Sequence, residues 1–227
     1  MEVHGAGTFM YRPAPNLQAN SPLQLRAEAL SLVRQDIAEC RQCPGMVGKP
    51  VPGPALMSRI LLLGQAPGPH EERIGQPFAW TAGRTLFRWL QTATGAPEAV
   101  VRERIYFAAV ARCFPGKAKG GGDRVPTRHE ADACGIHLFR EVALLQPLLV
   151  LPVGTLAISR VFGSAYKLVD VVGQSRRVSM YGIEMDAIAL PHPSGLSTWP
   201  RSEPGLSLLQ EALTLLSHHH AIKEAFL

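Results

Sequence analysis

The residues Ile60-Leu61-Leu62-Leu63 run straight into Gly64-Gln65-Ala66-Pro67-Gly68-Pro69, and no other feature limits the possible folds so much. A short, unbroken apolar run closed by turn formers reads as a strand buried on both faces, the habit of a parallel sheet covered by helices. Similar runs recur at Ile105–Ala111, Pro147–Val153 and Ile188–Leu190. Helical apolar periods lie between and around them. Leu23, Leu25, Ala29, Leu30, Leu32, Val33 and Ile37 follow a Ser21-Pro22 start, Leu86, Phe87, Trp89 and Leu90 share one face, and residues 127–145 and 206–216 continue the pattern. Strands alternating with helices predict an α/β fold, a three-layer αβα sandwich around a central, mostly parallel four-stranded sheet, with residues 174–185 as a hairpin or edge excursion. One domain is expected over residues 21–227, after an irregular lead-in rich in Pro, Gly and Asn over residues 1–20. The triplet His218-His219-His220 reads as solvated.

At 227 residues and 46% hydrophobic content the chain can bury a sizeable core. A formal charge of +5 permits an anionic partner such as nucleic acid without requiring one. No apolar run is long enough to span a bilayer, and the first residues lack a secretory pattern, so no membrane association and a cytoplasmic location are expected. Four cysteines are too few for a disulfide scaffold. Cys40 and Cys43 form a C-x-x-C at the end of the first helix, and Cys113 and Cys134 flank a glycine-rich loop. Convergence on one metal centre would use all four, and their residue type alone leaves zinc and iron–sulfur open.

Ligands of open α/β sheets bind beyond the carboxyl ends of the strands. Residues 65–68, the loop 114–124 with Lys117, Lys119 and Arg124, and Pro191-His192-Pro193-Ser194-Gly195 all leave from that edge. The cationic loop suits phosphate contacts, or is plain solvated surface. Neither G-x-G-x-x-G nor G-K-[ST] occurs after the first strand, which argues against a dinucleotide fingerprint or a P-loop there.

Further motifs fall in a recognisable order. Gly64-Gln65-Ala66-Pro67-Gly68, Glu71, Gly75-x-Pro77-Phe78 and Ala82-Gly83 come first; Arg112-Cys113-x-Pro115, Asp123-Arg124-x-Pro126-Thr127, Glu130, Cys134 and His192-Pro193-Ser194 follow. Together they resemble the iron–sulfur uracil-DNA glycosylases, families 4 and 5 of that superfamily, from about Cys40 to the last helix. The resemblance implies a DNA repair enzyme that flips a deaminated base, uracil above all, out of DNA and hydrolyses its N-glycosidic bond to leave an abasic site. It also implies a structural [4Fe–4S] cluster on Cys40, Cys43, Cys113 and Cys134, with zinc as the alternative. Backbone groups of Gln65, Ala66, Pro67 and Gly68 would bind the base, Phe78 would stack on it, and Ser194 would help hold the substrate. His192 would donate a hydrogen bond to uracil O2 as negative charge builds there. Asp123 and Glu71 are the candidate carboxylates for orienting water or stabilising the sugar cation, and Leu196 is the candidate wedge for the vacated stack.

Three departures bear on those roles. Ala109 stands where family 4 reads the base with an asparagine, and Ala79-Trp80-Thr81 replaces the aspartate that family 5 carries after its phenylalanine. The loop over residues 116–124 resembles the extended loop of a DNA-crosslinking relative, but Asp123 falls where that relative has a nucleophilic histidine, so ordinary turnover is expected. The expected partner is DNA containing uracil or another deaminated base, such as hypoxanthine or xanthine, bound by a monomer. Two rivals are a catalytically weak DNA-binding module of the same fold and an enzyme acting on a small phosphorylated metabolite.

Overall fold

The computed structural model describes residues 21–227; the expected lead-in over residues 1–20 lies outside them. Helix α1 (Pro22–Glu39) starts at a capping box, in which Ser21 Oγ accepts the Gln24 N–H and Gln24 Oε1 accepts the Ser21 N–H. These bonds satisfy two groups that a helix start would otherwise leave orphaned. The chain continues through β1 (Ile60–Gly64), α2 (Pro69–Ile74), α3 (Thr81–Thr94), α4 (Glu98–Arg104), β2 (Tyr106–Ala109), α5 (Arg128–Ala133), α6 (Gly135–Leu145) and β3 (Leu149–Pro152). It then forms α7 (Thr155–Phe162), α8 (Leu168–Val171), β4 (Ser175–Met180), β5 (Ile183–Ile188), α9 (Gly205–His218) and α10 (His220–Phe226).

The sheet order is β2-β1-β3-β5-β4, with β1 parallel to β2 and β3, β3 parallel to β5, and β4 antiparallel to β5. It has five strands where the sequence reading expected four, because the excursion over residues 174–185 pairs into the sheet along the whole of β4. That strand is an edge and alternates exposed and half-buried positions up to the buried Met180. Strand period two sorts the apolar run of β1 between the two faces. Ile60 and Leu62 join Leu86 and Leu90 of α3 and Leu209 and Leu213 of α9 on one side. Leu61 and Leu63 join Leu30 of α1 and Leu138 and Val142 of α6 on the other. The result is the expected three layers.

Two local expectations change. The helix expected over residues 127–145 breaks between α5 and α6, leaving Cys134 at the junction as the C-cap of one and the N-cap of the other. The histidine triplet is not wholly solvated: the His219 side chain is only 7% exposed, meets Asp186 of β5 at 3.1 Å, and caps α10 by accepting the Ala221 N–H.

Candidate nucleobase site and cysteine centre

Strands β2 and β3 lie on opposite sides of β1, so the chain reverses its direction of travel across the sheet there. The loops leaving such a point diverge and open a crevice. A cavity of about 780 Å³ occupies it. Gln65, Ala66, Pro67, Gly68, Glu71, Phe78, Asp123, His192 and Ser194 all line it, so every non-cysteine site residue singled out from the sequence reaches one cavity. Ala109, paired with Gly64 at the end of β2, is buried and brings no polar side chain.

The aromatic wall is held by backbone contacts. Phe78 has φ +54°, the left-handed region that a bulky residue seldom occupies. Its ring lies where a Cβ on Gly64 would be 2.7 Å from Cζ, and its carbonyl lies where any side chain on Gly83 of α3 would clash. Arg102 of α4 fixes the turn by donating to Pro77 O at 3.0 Å and Phe78 O at 3.1 Å. Its guanidinium also lies over the Phe87 ring, 4.3 Å from the centroid, and pairs with Glu98. Sequence reasoning missed Arg102; an i, i+4 Glu98–Arg102 pair signals only a solvated helix face.

Glu71 is half committed before any substrate arrives. Its carboxylate accepts the Gly68 N–H and is further stabilised by backbone N–H groups of Phe78 and Ala79. Burial nevertheless pushes its pKa above the usual carboxylate range, with those N–H groups opposing and the nearby Asp123 charge adding to the rise. Pro67 has no N–H and that of Gly68 is taken, which narrows the backbone donors of this turn to Gln65 and Ala66. The sheet ladder ends as Val110 N–H and Ala111 N–H donate to Gly64 O and Gln65 O.

His192 stands across the cavity. Its Nδ1 accepts the Ser194 N–H at 3.3 Å, which places the proton of the neutral ring on Nε2. Burial pushes its pKa below the ordinary value, against a smaller opposite pull from Asp123. The ring packs on the backbone after β3: a Cβ on Gly154, at φ +81°, would be 2.9 Å from His192 Cδ2. Asp123 comes from a short bridge in which Lys117 pairs with Asp123, the ammonium 2.6 Å from Oδ1. Its Oδ2 lies over the first turn, 3.4 Å from where a Cβ on Gly68 would be. The loop is less open than its glycines suggest. Arg124 is no phosphate hand, for it donates to Pro115 O, Gly45 O and both Glu130 oxygens, and the Arg124 bond holds Glu130 down at a pKa of about 2.

Cys40, Cys43, Cys113 and Cys134 line a second cavity of about 420 Å³ together with Arg112, Glu130 and His137. Burial, with the neighbouring thiols Cys134, Cys40 and Cys43, pushes Cys113 up to about 12, and burial also raises Cys43 and Cys134. Four thiolates can coexist there only around bound cations. Behind them Arg112, 2% exposed, pairs through Nη2 with the fully buried Glu141, whose Oε1 accepts the Tyr106 hydroxyl at 2.7 Å. Among the described residues, the buried side-chain atoms without a hydrogen-bond partner are Arg112 Nε and Nη1 and His137 Nδ1 and Nε2. Both residues face the cysteines, so a group rich in sulfur acceptors fits the hole. Among the described residues, the one set of three or more His, Cys, Asp or Glu whose ligand atoms all lie within 4.8 Å of one another is Asp186, His219 and His220.

A type-4 uracil-DNA glycosylase of Archaeoglobus fulgidus is 29% identical over 181 residues, 77% of this chain and 86% of the relative. Those of Pyrobaculum aerophilum and Thermotoga maritima are 27% and 29% identical, over 75% and 59% of this chain and 86% and 66% of their own. A profile of the uracil DNA glycosylase superfamily matches residues 51–216, from the approach to β1 into α9. That match takes in all five strands and both cavity walls, and the chain belongs to the uracil DNA glycosylase superfamily.

Proposed function

We propose that the protein removes uracil from DNA by hydrolysing the N-glycosidic bond of an extruded nucleotide. The observation that carries this reading is the meeting of the Gln65, Asp123 and His192 loops, with Phe78, over one cavity. A base within a duplex is out of reach, so it must swing into the cavity, where Phe78 stacks on it and the backbone around Gln65 and Ala66 reads its edge.

As the C1′–N1 bond breaks, its electron pair passes into the uracil ring and positive character appears on the sugar. Neutral His192, with its proton on Nε2, donates to uracil O2 and stabilises that charge. Asp123 lines the same cavity, held at Oδ1 by Lys117. Its carboxylate orients the water whose oxygen bonds to C1′ and receives a proton from it, and that proton passes on through solvent to N1 of the departing base. Glu71 is a positioning residue, fixing the turn that carries Gly68 and Phe78.

Cys40, Cys43, Cys113 and Cys134 would hold a [4Fe–4S] cluster, which would cross-link the end of α1, the segment after β2 and the α5–α6 junction. Arg112 and His137 would donate to its sulfurs. Among the described residues no helix is long and apolar enough to cross a membrane. We place the protein as a monomer in the cytoplasm, where a reducing poise suits unpaired thiols.

Alkali-labile breaks at uracil in a defined oligonucleotide test the activity, with hypoxanthine and xanthine substrates beside it because Ala109 offers no polar group to select uracil. Breaks at uracil are expected. Retained binding without breaks at any of the three bases would favour the non-catalytic module. Binding that ignores salt would point away from a polyanion.

A further inference from the structure

Trp80 is 48% exposed although it is among the largest apolar side chains of the protein. One face of its ring is covered by His70, with centroids 3.9 Å apart and planes 21° apart. His70 is in turn fixed by Arg73, whose Nη2 lies 3.2 Å from Nδ1. Both rings line the mouth of the nucleobase cavity. Trp80 also holds the N-cap position of α3 without making a side-chain cap bond, so its ring does no capping work. The pair is a preformed two-ring stack with an aromatic face turned outward.

Phe78 lines the cavity for the extruded base, and Trp80 follows two residues later. Two residues span at most about 7 Å of chain, a distance that consecutive nucleotides of one strand also cover. When one base leaves the stack, its neighbour loses a stacking partner on that side. Leu196 lines the same cavity, is 83% exposed, and its Cδ1 would lie 3.7 Å from a Cβ on Gly122. The cavity therefore carries both an apolar wedge and an aromatic platform.

We propose that the Trp80–His70 stack seats the nucleobase adjacent to the extruded one, in the same strand. This seat rests on the glycosylase reading and adds a second base subsite to it. Every base has a π-face, so the subsite tolerates any sequence, and it needs no partner strand. It thus suits DNA whose local pairing is already lost.

The test reads binding, by fluorescence anisotropy, of single-stranded oligonucleotides that carry one 2′-fluorinated deoxyuridine. The fluorine disfavours positive charge on the sugar and so protects the glycosidic bond. One oligonucleotide is intact; two others replace the base on the 5′ or the 3′ side of the uracil with an abasic spacer. Wild-type protein is expected to lose roughly tenfold in affinity for one of the two spacer oligonucleotides. Trp80→Ala is expected to lose about as much on the intact oligonucleotide and little more with the spacer, and Trp80→Phe to keep most of the wild-type behaviour.

A wild-type protein indifferent to both spacers overturns the proposal without any variant, so a Trp80→Ala chain that failed to fold would leave it testable. Trp80→Ala binding as wild type, or keeping full sensitivity to the spacer, overturns it as well. Because catalysis is not read, the two ideas fail separately. A spacer effect without excision of ordinary uracil sinks the activity alone, and excision without a spacer effect sinks the platform alone.

Discussion

In the proposed reaction His192 acts as a neutral ring, and its surroundings support that role. Burial disfavours the imidazolium, and the Ser194 N–H occupies the nitrogen that would otherwise take the second proton. The single-turnover excision rate is therefore expected to stay level as pH falls through 6.5, with any limb due to His192 below it; a limb for this residue at or above 6.5 would contradict the assignment. The same lowered pKa has a stability consequence. Below about pH 6.5 the unfolded chain binds this proton more readily than the folded one, so the folded state loses stability as pH falls through that window. Gly154→Ala puts a methyl group against the His192 ring at a backbone conformation that suits glycine. Displacing the imidazole by about an ångström is expected to lower the excision rate by up to about a hundredfold, which single-turnover kinetics would read, with a fall in melting temperature. His192 was legible in the sequence because it follows an apolar run in a turn at the active edge of the sheet. Gly154 was not, because its value depends on β3 and β5 being neighbours, and order in the sheet is not written locally.

The turn between α2 and α3 carries the aromatic wall, and α4 holds it from outside. Arg102→Met removes two charged hydrogen bonds to the Phe78 turn while keeping much of the side-chain bulk. Each such bond contributes about 1.5–3 kcal/mol. Steady-state kinetics on uracil-containing DNA are expected to show KM raised about tenfold with a smaller change in kcat, since Phe78 grips the base rather than cleaving it. An unchanged KM would mean that the turn holds itself. The periodic helices α3 and α9 could be read from the chain, as could the four apolar runs; α1 was legible from its Ser21-Pro22 start, but of its apolar residues Leu30, Val33 and Ile37 are buried while Leu23, Leu25 and Leu32 are exposed. Helix α4 could not, because Val101 is its only buried position, and one position makes no period. The internal role of Arg124 was hidden for a related reason. It depends on Glu130, which joins the α5 capping box to the loop before it and to the cysteine-bearing segment through Arg124.

Across the whole molecule the proposed function divides the labour between two cavities, one for the base and one lined by the cysteines. The cysteine set could be read in the chain from C-x-x-C and the two later thiols, but the buried Arg112–Glu141–Tyr106 network behind it could not, for charged residues give no sequence sign of burial. Cys134→Ser is expected to reduce iron from four atoms per chain, measured by elemental analysis, and to lower the melting temperature; one zinc per wild-type chain would contradict the cluster. In the proposed reaction Asp123 and His192 work on one base held in one cavity. Single-turnover release of uracil from a single-stranded oligonucleotide by wild type, Asp123→Ala and His192→Ala, each verified as folded by its melting temperature, decides whether they do. The expected result is at least a hundredfold loss of rate in both variants, with binding of the oligonucleotide retained. Wild-type rates in both would contradict it.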